Sequence, residues 1–202
     1  RYVETPDIDE NEITEEELEV IGQLSPVAAK IVMKILWLAR RARQDVLRST
    51  CMLAREVTKW NKGCDRRLHR LVSYLHSKRH ITQHCFINDK IEDLVIIVYS
   101  DADLASSHTN SKSTSGVFSA IVGPNSFVPV SALCKKHGAV SHSSTESETV
   151  AIDYAIRAEG LPLLSLWDIV KFIFEVDKRL GRPVSKGANK AGRVHDGNYG
   201  TF

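Results

Sequence analysis

The chain has 202 residues, with 27 Lys and Arg against 25 Asp and Glu and 43% apolar residues. That composition is globular and excludes a disordered or collagen-like chain. The length suits one ordinary domain or two small ones, and no apolar run approaches the ~20 residues of a membrane span.

Residues 1–19 hold nine acids and one base, Arg1, so the start of the chain is strongly acidic. The remaining residues carry 26 bases and 16 acids. An acidic leader on a basic body directs attention to nucleic-acid partners. Residues 1–21 lack a period and are expected to be a flexible lead-in. The chain starts at Arg1, with no visible signal peptide, and is read as a fragment.

Residues 22–88 form a basic helical segment. Ser25 is the expected N-cap of a first helix, with Pro26 at its first position. Ala28, Ile31, Val32, Ile35, Leu38 and Ala39 then recur at helical spacing. A second helix carries Val46, Leu47, Leu53, Ala54 and Val57. A third carries Leu68, Leu71, Val72 and Leu75 and ends before Lys78. Residues 30–90 contain fifteen Lys and Arg against four Asp and Glu. Lys34, Arg40, Arg41, Arg43, Arg66, Arg67 and Arg70 are the candidate contacts to a nucleic-acid backbone; the plainer reading is a solvated face.

The period changes after Asn88-Asp89. Leu94 to Tyr99 is a β-branched run expected to be a strand buried on both faces. A polar loop from Ser106 to Ser113 leads to strands at about 116–122 and 127–134, separated by the turn Gly123-Pro124-Asn125. Short connections point to an antiparallel meander. Ser143 with Glu146, and Thr145 with Glu148, both fit a capping box, so a helix starts there. Gly160 is expected to end it and Pro162 to open another. Residues 177–202, rich in Gly, Lys and Arg, are expected to be a disordered tail.

Asp101 and Asp103 close a strongly apolar strand. A buried unpaired carboxylate is costly, and a divalent cation is one compensation; a solvated turn is the bland alternative. Glu148, in the first turn of a helix, is ordinary capping chemistry by itself. The cysteines at 51, 64, 85 and 134 make no C-x-x-C and no finger spacing with His, so zinc is not expected. They read as reduced thiols inside a cell, in cytoplasm or nucleus. His137 and His142 read as surface residues, and Trp37, Trp60 and Trp167 as core anchors. No nucleophile context for a hydrolase triad is present.

Three ordered segments carry a resemblance. They are Tyr99-Ser100-Asp101-Ala102-Asp103-Leu104-Ala105, Lys112-Ser113-Thr114-Ser115-Gly116, and Ser143-Ser144-Thr145-Glu146-Ser147-Glu148-Thr149-Val150-Ala151. Together they resemble the ribonuclease H region of copia-type LTR retrotransposon polyproteins. Ala39 to Leu47 and Leu68 to Leu75 are similar to the helices that join reverse transcriptase to ribonuclease H there. The resemblance spans about residues 20–174 and does not include the polymerase palm. It implies an α/β, ribonuclease-H-like but incomplete fold over 89–176, with a three-stranded antiparallel meander and helices behind a basic helical segment. It implies Mg²⁺-dependent hydrolysis of RNA in RNA–DNA hybrids, with Asp101 and Glu148 as catalytic metal ligands and Asp103 beside them. Two Mg²⁺ ions would serve that reaction. The implied partners are RNA–DNA hybrid or duplex and the upstream polymerase domain, with no membrane. The chain departs from the family after Trp167-Asp168-Ile169-Val170, where the Asp-Asn strand and the last acid are missing. Two of four expected ligands are therefore absent, and weak Mg²⁺ binding and impaired cleavage are expected. The alternative is a non-catalytic nucleic-acid-binding remnant or the product of a pseudogene.

Overall fold

A computed structural model describes residues 2–104 and 111–180, apart from the side chain of Glu10. The chain divides into two units, residues 1–163 and 164–202. The first is α/β and holds α1 (Glu15–Glu19), α2 (Ser25–Arg41), α3 (Leu47–Arg55), α4 (Lys62–Ser77), β1 (Val95–Asp103), β2 (Thr114–Gly123), β3 (Ser126–Lys136) and α5 (Ser144–Ala155). A π-helical turn, Ile156–Gly160, then runs without a break into α6 (Leu161–Arg179). Gly160 therefore does not end the helix. Pro162 lies directly after the π-helical turn, inside this continuous helix.

The helical core is the predicted one. Ala28, Val32, Ile35 and Ala39 of α2 are buried against Leu47 and Leu53 of α3 and Cys64, Leu68, Leu71 and Tyr74 of α4. Trp60 is buried, but Trp37 lies two-thirds exposed on the opposite side of α2. Ser25 is not the cap of α2, whose N-cap is Leu24 with no side-chain cap bond. The carboxylate of Asp65, in the first turn of α4, serves instead. It accepts the backbone N–H groups of Gln23 (2.6 Å) and Leu24 (3.2 Å) and the indole N–H of Trp60 (2.6 Å). A partner some forty residues away is invisible to a local capping rule.

The acidic leader is folded on α4, contrary to the expectation of a flexible lead-in. Thr14 and Glu17 form the capping box of α1. Val3 and Ile13 are buried. Arg66 reaches Glu17 at 2.7 Å and the Glu12 carbonyl at 2.6 Å, Arg70 donates to the Thr5 carbonyl at 3.0 Å, and Lys78 donates to the Tyr2 hydroxyl. Gly63 permits the approach. A Cβ there would lie 2.9 Å from Ile13 Cγ2.

The three strands form one antiparallel sheet in the order β1-β2-β3. Asp101 pairs with Gly116, which pairs with Cys134, and Tyr99 pairs with Phe118 and Ala132 in the same way. β1 is an edge strand with exposed Val95 and Tyr99, so it is not buried on both faces. Pro129 is accommodated beside a bulge on the other edge strand, β3. The 88–89 segment ties down the β2–β3 turn: Asp89 accepts from Asn125, and Ser126 Oγ accepts from Asn88 and Asp89. Part of the polar loop, residues 105–110, lies outside the described residues, as does the tail from 181; residues 177–179 continue α6.

In the second unit, α6 exposes Leu164, Leu166, Ile169, Phe172 and Ile173. Trp167 is buried, with Lys171 Nζ 5.8 Å from its ring centre. Among the described residues no helix is long and apolar enough to cross a membrane.

Arg43 lies between α2 and α3 and is buried, with its guanidinium on Asp45 (2.8 and 3.0 Å) and on the Lys78 carbonyl (3.1 Å). Tyr74 of α4 donates its hydroxyl to the same carboxylate at 2.9 Å. Burial pushes the Asp45 carboxyl up, but the bonds from Arg43 and Tyr74 outweigh it and hold it below its ordinary value. A depressed carboxyl stabilises the fold above its unfolded pKa, and that stability is lost as pH falls through the folded value. Asp45→Asn should therefore cost about 2–4 kcal/mol at pH 6, as expected for breaking a largely buried charged network. Urea unfolding should show the gap between variant and parent closing as pH falls below the ordinary carboxylate range. A gap independent of pH would mean that the ion pair is not its source.

Candidate functional site

The candidate site is a cleft of about 600 Å³ between one face of the sheet and the start of α3. Tyr99, Asp101, Asp103, Gly116, Phe118 and Cys134 line one wall; Gln44, Leu47 and Arg48 line the other. Strand alternation explains the first wall. Odd residues of β1 share a face with the even residues of β2 and β3 that they pair with. Arg48 bridges the cleft mouth, 3.1 Å from Asp103 and 3.6 Å from Asp7 of the leader.

Asp101 and Asp103 are exposed, because β1 is an edge strand. The cost of a buried carboxylate, the reason for expecting a cation, does not arise here.

The other face of the sheet packs against α5. Ser147, Ala151 and Ala155 make the buried stripe of α5, and Ser115, Val117 and Ser119 are the buried residues of β2 on that side. Glu159 of the π-helical turn accepts from Ser119 and Ser131 across the interface at 3.4 and 2.5 Å. Ser115 Oγ lies 2.6 Å from His137 Nε2. His137 is thus buried rather than on the surface, and burial lowers its pKa. Ser115 is fully buried as well, which makes this pair structural.

Asp101 opens into the cleft on the α3 face, and Glu148 stands half-buried in the first turns of α5. Asp103 lies beside Asp101 but is engaged by Arg48. No group of three or more His, Cys, Asp or Glu converges among the described residues. A Mg²⁺ pair needs several hard oxygens in near-octahedral array, and the cleft supplies Asp101 together with Asp103, which Arg48 engages.

The candidate backbone contacts divide into three groups. Arg43 is buried in the Asp45 network and holds the fold together. Arg66 and Arg70 are engaged by the leader. Lys34, Arg40 and Arg41 are exposed on α2 and Arg67 is half-exposed on α4; none of the four makes an ion pair among the described residues. Arg41 lines a second cleft of about 640 Å³ together with Arg79, Leu75, Gln83 and Val130.

Two functional groups escaped the sequence reading. Arg48, an unremarked base in a basic segment, is the residue that engages Asp103. Cys51 of α3 and Cys134 of β3 both pack, half-buried, on the rim of the helical core. The two thiols influence one another, which raises the pKa of Cys51 and lowers that of Cys134. Their sequence separation gives no motif.

No family model, curated protein or solved structure matches the chain. The geometry must carry the functional reading.

Mn²⁺ added to isotope-labelled protein should not broaden the signals of Asp101 and Glu148 together. Joint broadening at sub-millimolar metal would show that the two carboxylates converge in solution.

Proposed function

We propose that residues 20–174 are the connection and ribonuclease-H-like part of a copia-type polyprotein, and that they hold nucleic-acid duplex without cleaving it. The three ordered motifs and the sequence of basic helices, meander and capped helix support the family reading. Mg²⁺-dependent hydrolysis of an RNA strand needs several convergent carboxylates, and the cleft offers Asp101 with Asp103 engaged by Arg48. Binding without cleavage is the reading that agrees with that donor set. The observation that carries it is the cationic surface of Lys34, Arg40 and Arg41 on α2, continued by Arg79 in the second cleft. Bases spaced along one surface suit a phosphate backbone, and contacts of this kind are independent of sequence. An upstream polymerase domain of the same polyprotein is the partner that would deliver the duplex.

The leader bears on this function. Glu12, Glu17 and Asp7 sit on Arg66, Lys62 and Arg48, so they compete with phosphate for part of the same basic segment.

Fluorescence anisotropy with a labelled RNA–DNA hybrid and a DNA duplex tests the proposal. Both should bind regardless of sequence. Arg41→Glu with Arg79→Glu should weaken binding tenfold or more. Neutralising the leader by Asp7→Asn, Glu12→Gln and Glu17→Gln should tighten it several-fold. In that variant log affinity should fall against log salt with a slope of about −0.9 per phosphate contacted on B-DNA. Absence of binding by the neutralised variant at 50 mM salt would end the proposal. Robust cleavage of the RNA strand, lost in Asp101→Asn, would overturn its non-catalytic half.

A further inference from the structure

We propose that the second cleft, of about 640 Å³, receives an unpaired nucleotide at the end of the duplex held by the basic surface. The inference rests on the duplex reading above and gives this cleft a ligand of its own, a base that has left the stack. The floor carries the inference. Leu38 of α2 and Leu75 of α4 line it half-buried, and Ile81 and Val130 line it at 39% exposure each. A duplex turns phosphates and sugars outward, and those groups gain nothing from an apolar surface set behind arginines. An unpaired base brings what such a surface needs: two flat apolar faces and a polar edge. The volume also lies in the range of small-ligand sites, about 300–1,000 Å³.

Two local devices shape the cleft. Ser119 of β2 pairs with Ser131 and Ala120 pairs with Pro129, so Val130 is the extra residue of a bulge, with no partner on β2. A bulge re-aims a side chain, and this one lines the cleft. The segment after α4 joins β3 through one bridge, Phe86 with Phe127, at 3.0 and 2.9 Å. Residues 81–85 ahead of that bridge form no strand, and Ile81, Gln83 and Cys85 line the cleft instead.

Charge selects a nucleotide. Three arginines line the cleft, and its lining holds no Asp or Glu. Arg43 is engaged by Asp45 and the Lys78 carbonyl. Arg41 and Arg79 are exposed and make no ion pair among the described residues. Both are left for the phosphates that flank a lodged base, and a guanidinium plane also stacks on a base. The exposed Gln83 amide offers two donors and an acceptor to the base edge. Arg41 belongs to this cleft and to the row of bases on α2, so a strand followed along Lys34, Arg40 and Arg41 ends at the cleft.

The test titrates the full chain with three labelled DNA duplexes. One is blunt, one has a strand that overhangs its complement by a single adenosine at each end, and one has abasic overhangs in the same places. The adenosine duplex should bind about tenfold more tightly than the abasic one, which carries the same charge, as expected for one stacked base. Ile81→Ser with Val130→Ser should abolish that gain and leave binding of the blunt duplex unchanged. Cys85, exposed in the cleft lining, gives a second readout on the parent chain. Its alkylation by iodoacetamide, followed by peptide mass, should slow several-fold under saturating adenosine duplex and not under blunt duplex. Equal affinity for the adenosine and abasic duplexes, with Cys85 alkylated at the same rate under both, would overturn the inference while blunt-duplex binding upholds the duplex reading. A gain that survives in the folded double variant would place the base elsewhere and overturn it too. Absence of binding by all three duplexes would end both.

Discussion

Arg43 is the constraint on which the first unit turns. Its guanidinium sits at the junction of α2 and α3, is nearly inaccessible, and satisfies itself on Asp45 and the end of α4. Tyr74 completes the network from α4, and the Arg43 guanidinium also lies 5.8 Å from the Tyr74 ring centre. A charge removed from water this far is tolerable only when its donors are engaged. That requirement fixes how three helices meet. It also fixes α3, and α3 supplies one wall of the cleft and the base that engages Asp103.

The second constraint is the pleat. Successive residues of a strand point to opposite faces, so a single position of register decides which helix a side chain meets. Asp101 and Asp103 take the face toward α3, and Ser100 and Ala102 take the face toward α5.

Much of the architecture was legible in the sequence. The period of Ala28 to Ala39 gave the buried stripe of α2, and Leu68 and Leu71 gave part of that of α4, where Tyr74 is buried and the expected Val72 is exposed. The switch from helical to strand character after Asn88 gave the meander, and Ser143 with Glu146 gave the start of α5. What failed were inferences that stopped at local signals. The cap of α2 belongs to Asp65, which no window around Ser25 contains. The leader looked structureless because its partners, Arg66, Arg70 and Lys78, are supplied by α4. Gly160 looked like a stop, but a π-helical turn carries the chain past it. Arg43 looked like one base among many until burial singled it out. The carboxylates were correctly seen as flanking β1 and α5, yet sequence does not tell which face of the sheet each element takes.

The leader contacts have a consequence for what the basic surface can tell apart. A competitor joined to the same chain acts at an effective concentration in the millimolar range for a short connection. A nucleotide or a short oligomer offers too few charges at once to displace it. A long duplex presents phosphates along its whole length and can gain new contacts each time one leader acid lets go. Salt loosens the leader and the ligand together, so the two losses partly offset each other in the intact chain. On the proposal that the basic surface holds duplex, the acidic segment would act as a length filter, admitting polymers and turning away their fragments.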